Sequence, residues 1–342
     1  MKNRIAKTVS IALALVLMLT LQAGCAVPAP AAETERLPKL ILVAPPGPMA
    51  IPAAYLVVNN RLAAVAEEVE LVIWANPAQI KAIVAGGQGD FVTMPSNLAS
   101  IFYNKEMGVQ LLDISVWNVL YLISSDPAVE TLADMRGETI AVPFKGAMPD
   151  LMLQILSERQ GIDPLVDFDL NYVADPMQAA QLLLAGVVEH AVIAEPLATT
   201  VVLQTGDQPR RLYRAIRFDA EWARVVGEEI KTPIAGTVAL SRIQHRPDVI
   251  DEFIRQYRLA VEWMLENPEQ AGLMAEEHLP ALGFKAGPVA ASLANITWDH
   301  VQARDAREDL EAFFTILMGL SPGVVGGALP DDGFYYPGAD LE

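Results

Sequence analysis

The chain is predicted to be a two-lobed α/β protein, each lobe a mixed sheet flanked by helices. Three observations predict it. Strand-like and helix-like segments alternate along the first two thirds of the 342 residues. The pattern nearly repeats at an offset of 99 residues: Leu40-Ile-Leu-Val-Ala-Pro-Pro-Gly-Pro-Met49 is echoed by Thr139-Ile-Ala-Val-Pro-Phe-Lys-Gly-Ala-Met148, and Gln79 to Ala99 by Gln178 to Ala198. Finally, the apolar stretch before Ser124 and the strand after Gly236 bracket the second unit, so the chain leaves one lobe, builds the other and returns. Two such units facing each other enclose a cleft, and clefts between lobes take small ligands.

The elements follow in order. Lys2, Arg4 and Lys7 precede an apolar run from Val9 to Leu21, too short for a comfortable membrane span and ordered like an export signal. It ends at Leu21-Gln-Ala-Gly-Cys25, where small residues before a cysteine resemble a bacterial lipoprotein cleavage site, although Gln22 stands where an aliphatic residue is preferred. Cys25 is the single cysteine, so it is expected to carry lipid, and no internal disulfide or cysteine-based zinc site is available. Residues 26–32 are a Pro/Ala-rich tether. Cleavage before Cys25 removes three cations and takes the net charge from −18 to −21. That charge excludes nucleic acid and anionic membrane surfaces as partners.

Leu40 to Ala44 reads as a buried strand, Ala50 to Asn59 as a helix and Val69 to Trp74 as a second strand. Asn76-Pro77-Ala78-Gln79 opens a helix that ends at Gly86-Gly87, before a strand at Asp90 to Thr93. Ser96 opens the next helix as its cap. Leu111 to Ser124 reads as extended, interrupted at Trp117-Asn118. The second unit repeats the scheme: strand 139–142, helix 150–160, extended 170–173, helix 176–184, strand 191–193. After the strand at 237–240 the chain reads as helical, with helices at 247–266, from Pro268 and at 304–318, and a surface loop at 321–332. The expected division is a signal over 1–24, a tether over 25–37, a first lobe of 38–121 and 235–342, and a second lobe of 122–234.

In open α/β sheets, ligands sit beyond the carboxyl ends of the strands, near helix N-termini. That rule selects the loops carrying Pro46, Gly47 and Pro48, then Trp74, then Met94, Ser96 and Asn97, then Trp117, then Phe144, Lys145, Gly146 and Met148, and finally Glu195. The helix ends near Ser96 and Pro149 are candidates to hold a carboxylate, sulfonate or other oxyanion, and Lys145 to neutralise one. Trp117 is a candidate stacking surface. Glu195 either meets a ligand N–H or cation, or pairs with an arginine across the crossover. The four histidines lie far apart in sequence, so no metal site and no cofactor is expected, and no nucleophile motif is present.

Residues 85–91 with Pro95, Val116-Trp-Asn-Val-Leu-Tyr-Leu122, Val142-Pro-Phe-Lys-Gly-Ala-Met-Pro-Asp150, Ala194-Glu-Pro196 and Glu266-Asn-Pro-Glu-Gln-Ala271 resemble, in order and spacing, the nitrate/sulfonate/taurine and thiamine-pyrimidine group of periplasmic solute-binding proteins. The resemblance spans roughly residues 38 to 320, and Asn118 departs from it where a glycine is expected. It implies a type II periplasmic binding protein, a monomer that closes on one small organic or oxyanion solute. It also implies delivery to an ABC permease with its ATPase, at the cell membrane or in the periplasm. The alternatives are an enzyme on the same fold, of the pyrimidine-precursor or menaquinone-pathway type, and a ligand sensor without a transporter.

Overall fold

A computed structural model describes residues 35–338. The export signal, Cys25 and most of the tether lie outside the described residues. Two sheets carry the fold. The first is ordered β2-β1-β3-β10-β4-β11, from Ala66–Ile73, Leu37–Ala44, Phe91–Pro95, Ala235–Leu240, Val109–Asn118 and Thr297–Gln302. The second is ordered β7-β6-β8-β5-β9, from Asp169–Val173, Thr139–Pro143, His190–Ala194, Leu120–Ser124 and Tyr213–Arg217. Each contains three mutually parallel strands (β1, β2 and β3; β6, β7 and β8), then an antiparallel strand from the crossover region, then two more in the first sheet and one in the second. The 99-residue echo therefore has a structural counterpart: the paired segments begin β1 and β6, and contain β3 and β8.

Twelve helices are described, and most flank the two sheets. In chain order they are α1 (Ala50–Val58), α2 (Pro77–Ala85), α3 (Ser96–Asn104), α4 (Met148–Glu158), α5 (Pro164–Asp167), α6 (Pro176–Leu184), α7 (Leu197–Thr205), α8 (Phe218–Val225), α9 (Pro247–Glu266), α10 (Pro268–His278), α11 (Ala286–Leu293) and α12 (Arg307–Leu320). α2 starts as its sequence dictates: the Asn76 side chain accepts from the Ala78 and Gln79 amides, and Pro77 follows. On one face of the first sheet Leu40, Leu42 and Phe91 pack with α1 and α9, where the Phe91 and Phe253 rings stack at 4.0 Å. On the other face Val43, Val92 and Met94 join a cluster with Phe102 of α3, Leu310, Phe313 and Phe314 of α12, and Met148 and Met152 of α4. Burial on both faces is why the parallel strands read as continuous apolar runs.

Three elements differ from the sequence reading. The extended stretch 111–124 is two strands, β4 and β5, joined by Val119 alone, so the second sheet begins at Leu120. The C-terminal third is not all helical: β11 closes the first sheet against β4. Register shifts between Thr297 and Trp298 and between Trp298 and Val301 break the period-two alternation that would have revealed it. The segment 321–332 is not a free surface loop. Val325 is fully buried, and the side chains of Asn97, Ser100 and Asn104 donate to the carbonyls of Val324 and Val325.

One patch of the first lobe's interior is polar. Asp113 and Ser115 of β4, Thr237 of β10 and Tyr257 of α9 are fully buried, and the His300 side chain of β11 is only 5% exposed. Burial pushes the Asp113 carboxyl up to about 7 and the His300 imidazole down to about 4. The folded chain therefore holds a proton on Asp113 that the unfolded chain releases from about pH 4 upward, so this group's stabilisation is lost as pH rises to about 7. His300 has the opposite sign, because the unfolded chain protonates it below about 6.5 while the folded chain does so only near 4. The two slopes oppose each other. Asp113→Asn is expected to unmask a stability that rises with pH between those limits, and His300→Gln one that falls. Urea melts at a series of pH values check this, and parallel profiles for both variants would refute it.

Candidate functional site

The carboxyl ends of the parallel strands define the site. β1, β3 and β4 end at Ala44, Pro95 and Asn118, and β6 and β8 end at Pro143 and Ala194. The chain crosses between the two edges at Val119 and returns through residues 232–234. The two crossing segments are bonded to each other and to both edges. The Ile234 amide donates to the Val116 carbonyl at 3.0 Å, the Glu195 amide to the Val119 carbonyl at 3.0 Å, and the Thr232 hydroxyl to the Trp117 carbonyl. β1 lies two places from β10, and β6 lies two places from β5. Loop 45–49 thus follows the strand two places from β10, and loop 144–148 the strand two places from β5.

The thirteen candidate residues divide by exposure. Pro46, Gly47, Phe144, Lys145 and Gly146 are exposed or half-buried, and a Cβ built on Gly47 or Gly146 would meet nothing within 4 Å. Pro48, Trp74, Met94, Ser96, Asn97, Trp117, Met148 and Glu195 are buried. The polar groups of that second set have internal partners. The Trp74 indole N–H donates to the Thr93 carbonyl at 3.3 Å, and that of Trp117 to the Asp299 carbonyl at 2.7 Å. Ser96 is the first residue of α3 rather than its cap. Its amide donates to Ile234 and its hydroxyl to Pro233, which ties α3 to the returning crossover.

Loop 144–147 is held in an unusual shape. Phe144 has φ +56° and Gly146 +77°, the first a left-handed conformation that a bulky residue adopts only when held. The buried Asp150 holds the loop by accepting from the Gly146 amide at 2.7 Å, and it also accepts from Gln154 at 2.8 Å and from the Tyr172 hydroxyl at 3.1 Å. The carboxylate that completes the first turn of α4 is therefore the chain's own, and the helix end expected to receive an anion already faces one. Lys145 extends over the Tyr172 ring, 4.7 Å from its centroid.

Glu195 has an arginine partner. Its carboxylate accepts from the Thr199 amide at 2.8 Å, in the first turn of α7, and from Arg214 Nη2 and Nε at 2.8 and 3.0 Å. Arg214 belongs to β9 of the same sheet rather than to the far side of the crossover. It also donates to the Thr199 hydroxyl and lies over the Tyr121 ring, 5.5 Å from its centroid. Sequence reasoning missed Asp150 and Arg214. Asp150 carried a usable signal, an acidic residue in the first helical turn after a glycine loop. Arg214 needed the sheet order.

A cavity of about 300 Å³ lies on the other side of the crossovers, lined by Trp117, Trp222, Asp219, Lys231, Thr297 and Asp299 among others. The Lys231 ammonium sits 5.1 Å from the centre of the Trp117 ring. The face of Trp117 offered for stacking is thus covered by a lysine of the returning crossover. Among the described residues, no three His, Cys, Asp or Glu side chains gather as a metal site, and no helix is long and apolar enough to cross a membrane.

The fold is that of solved periplasmic binding proteins of ABC transporters, sulfonate- and nitrate-binding ones among them. The chain is similar to an ABC transporter protein of Parabacteroides distasonis, with 21% identity, coverage of 87% of this chain and 99% of that one, and a TM-score of 0.71. It is similar to the aliphatic sulphonate binding protein SsuA of Escherichia coli, with 15% identity, 89% and 94% coverage, and a TM-score of 0.66. It is likewise similar to the nitrate-binding protein NrtA of Synechocystis PCC 6803, with 14% identity, 83% and 82% coverage, and a TM-score of 0.63. No family model and no curated protein matches the chain.

Proposed function

We infer that the protein is an extracytoplasmic solute receptor of an ABC importer, a binding protein rather than an enzyme. Its two lobes, 38–121 with 235–342 and 122–234, close on one small solute and deliver it to a membrane permease with its ATPase. The observation that carries this reading is the duplicated mixed sheet joined through the one-residue crossover at Val119, a fold shared with solved solute-binding proteins. Pro46 and Gly47 on one edge and Phe144, Lys145 and Gly146 on the other are the accessible candidates for contact. The two glycines allow a solute to approach the backbone closely. Export and tethering through a lipid on Cys25 belong to the same reading.

The test is a thermal-shift and native mass-spectrometry screen of the mature chain. The panel contains sulfonates, nitrate, bicarbonate, pyrimidines and thiamine precursors. A true solute at a hundredfold excess over its Kd stabilises the folded chain by about 2.7 kcal/mol, a shift of several degrees with one ligand per chain. Failure of every compound in this panel and in a much wider one would remove the receptor reading.

A further inference from the structure

The polar patch between β4, β11 and α9 holds several buried polar atoms without partners. Asp113 Oδ2 and His300 Nε2 lack hydrogen-bond partners, as do the hydroxyls of Ser115 and Tyr257 beside them and the amide oxygen of Gln302. Asp113 Oδ2 and His300 Nε2 face each other at 3.8 Å, too far for a hydrogen bond. With the imidazole neutral and its proton on Nδ1, Nε2 is an acceptor. Once Asp113 is ionised, the hydroxyls of Ser115 and Tyr257 are the donors beside Asp113 Oδ2 and His300 Nε2, and among the described residues no lysine or arginine pairs with that carboxylate. Buried polar atoms in folded proteins are paired, and buried charges are neutralised.

We propose that this compartment is a binding site for one small monovalent cation, of the ammonium or alkali class, seated between Asp113 Oδ2 and His300 Nε2. The ligand set selects that class. Only two strong metal ligands are present, and the rest are neutral oxygens, a donor set too weak for a transition metal. An ammonium ion brings four N–H donors to these acceptors, and an alkali ion accepts the same oxygens. Access is through a cavity of about 250 Å³ lined by Arg258, His300, Val301, Gln302 and Asp305. The entrance is close to neutral, because Arg258 pairs with Glu262 at 3.1 Å and Asp305 lies 3.4 Å from Arg304. The site lies within the first lobe and does not depend on the solute reading.

The experiment is done at pH 8, above the value of about 7 that burial sets for Asp113, so that the carboxylate is ionised. Thermal melts are recorded in ammonium, potassium and sodium chloride against choline chloride at equal ionic strength, for wild type and Asp113→Asn. At least one small cation is expected to raise the wild-type Tm by several degrees over choline, and the substitution to abolish the difference. The three salts separate the ammonium source from the alkali sources. Because Asp113→Asn itself changes stability, a crystal soaked in rubidium chloride gives an independent reading, with an anomalous peak expected between Asp113 and His300. Melts indistinguishable from choline, a response that survives Asp113→Asn, or a compartment that holds only water in the soaked crystal would overturn the proposal.

Discussion

Gly236→Ala is expected to destabilise the protein by about 3 kcal/mol or more, lowering Tm by roughly 6 °C or more. A Cβ at this position would lie 1.8 Å from the Asp113 carbonyl oxygen, 2.8 Å from its carbonyl carbon and 3.0 Å from Ile114 Cα. All three are backbone atoms of β4, so no side-chain rotation relieves the clash. β10 lies in the middle of the first sheet, paired on both sides, and its register with β4 shifts between Ala235 and Gly236. Glycine is required there because the bulge brings two backbones into contact. Gly47→Ala is the control, since its new Cβ meets nothing within 4 Å. That variant should stay within about 0.5 kcal/mol of wild type. Equal Tm values for the two variants would refute the steric account.

Arg214→Met is expected to cost about 3–5 kcal/mol, because it leaves an uncompensated charge in the interior. The Glu195 side chain is 0% exposed and that of Arg214 24%. Removing the arginine strands a fully buried carboxylate, whereas Glu195→Gln leaves a partly solvated guanidinium that still reaches Thr199 and Tyr121. The arginine variant should therefore be the less stable of the two, and the double variant Glu195→Gln/Arg214→Met should recover part of the loss. Denaturant melts of the three proteins form the cycle. A double variant less stable than the sum of the two singles would show that the pair is not coupled in this way.

Much of the architecture was legible because its physics is local. The runs at 40–44 and 139–142 are apolar on both faces, the mark of parallel strands between helix layers. Asn76-Pro77 announced a helix start that the structure contains to the residue. What stayed hidden depended on long-range pairing. β11 was obscured because its bulge places polar Asp299 and His300 between Trp298 and Val301. Asp113 sits inside an apolar run, and its significance appears only when β11 brings His300 beside it. Glu195 and Arg214 are 19 residues apart, and only the order β8-β5-β9 brings them together. The candidate site divided in the same way. Strand-end logic selected the loops, but it does not say which side chains in a loop already have internal partners, and Ser96, Asn97, Trp117 and Glu195 do.

The single residue Val119 between the sheets, bonded to Glu195 and flanked by Val116 and Trp117, which hold the returning crossover, acts as the spine of a book. Sliding or shearing would break the bonds at Val116, Trp117 and Val119, whereas a swing about the spine leaves them intact. Loop 144–148 lies two strand spacings out, about 10 Å from it, and loop 45–49 three, about 14 Å. A swing of about 20° would then carry the tip of loop 144–148 about 3.5 Å and that of loop 45–49 about 5 Å. The leverage of those short arms sets how large a guest can enter without unpicking the binding.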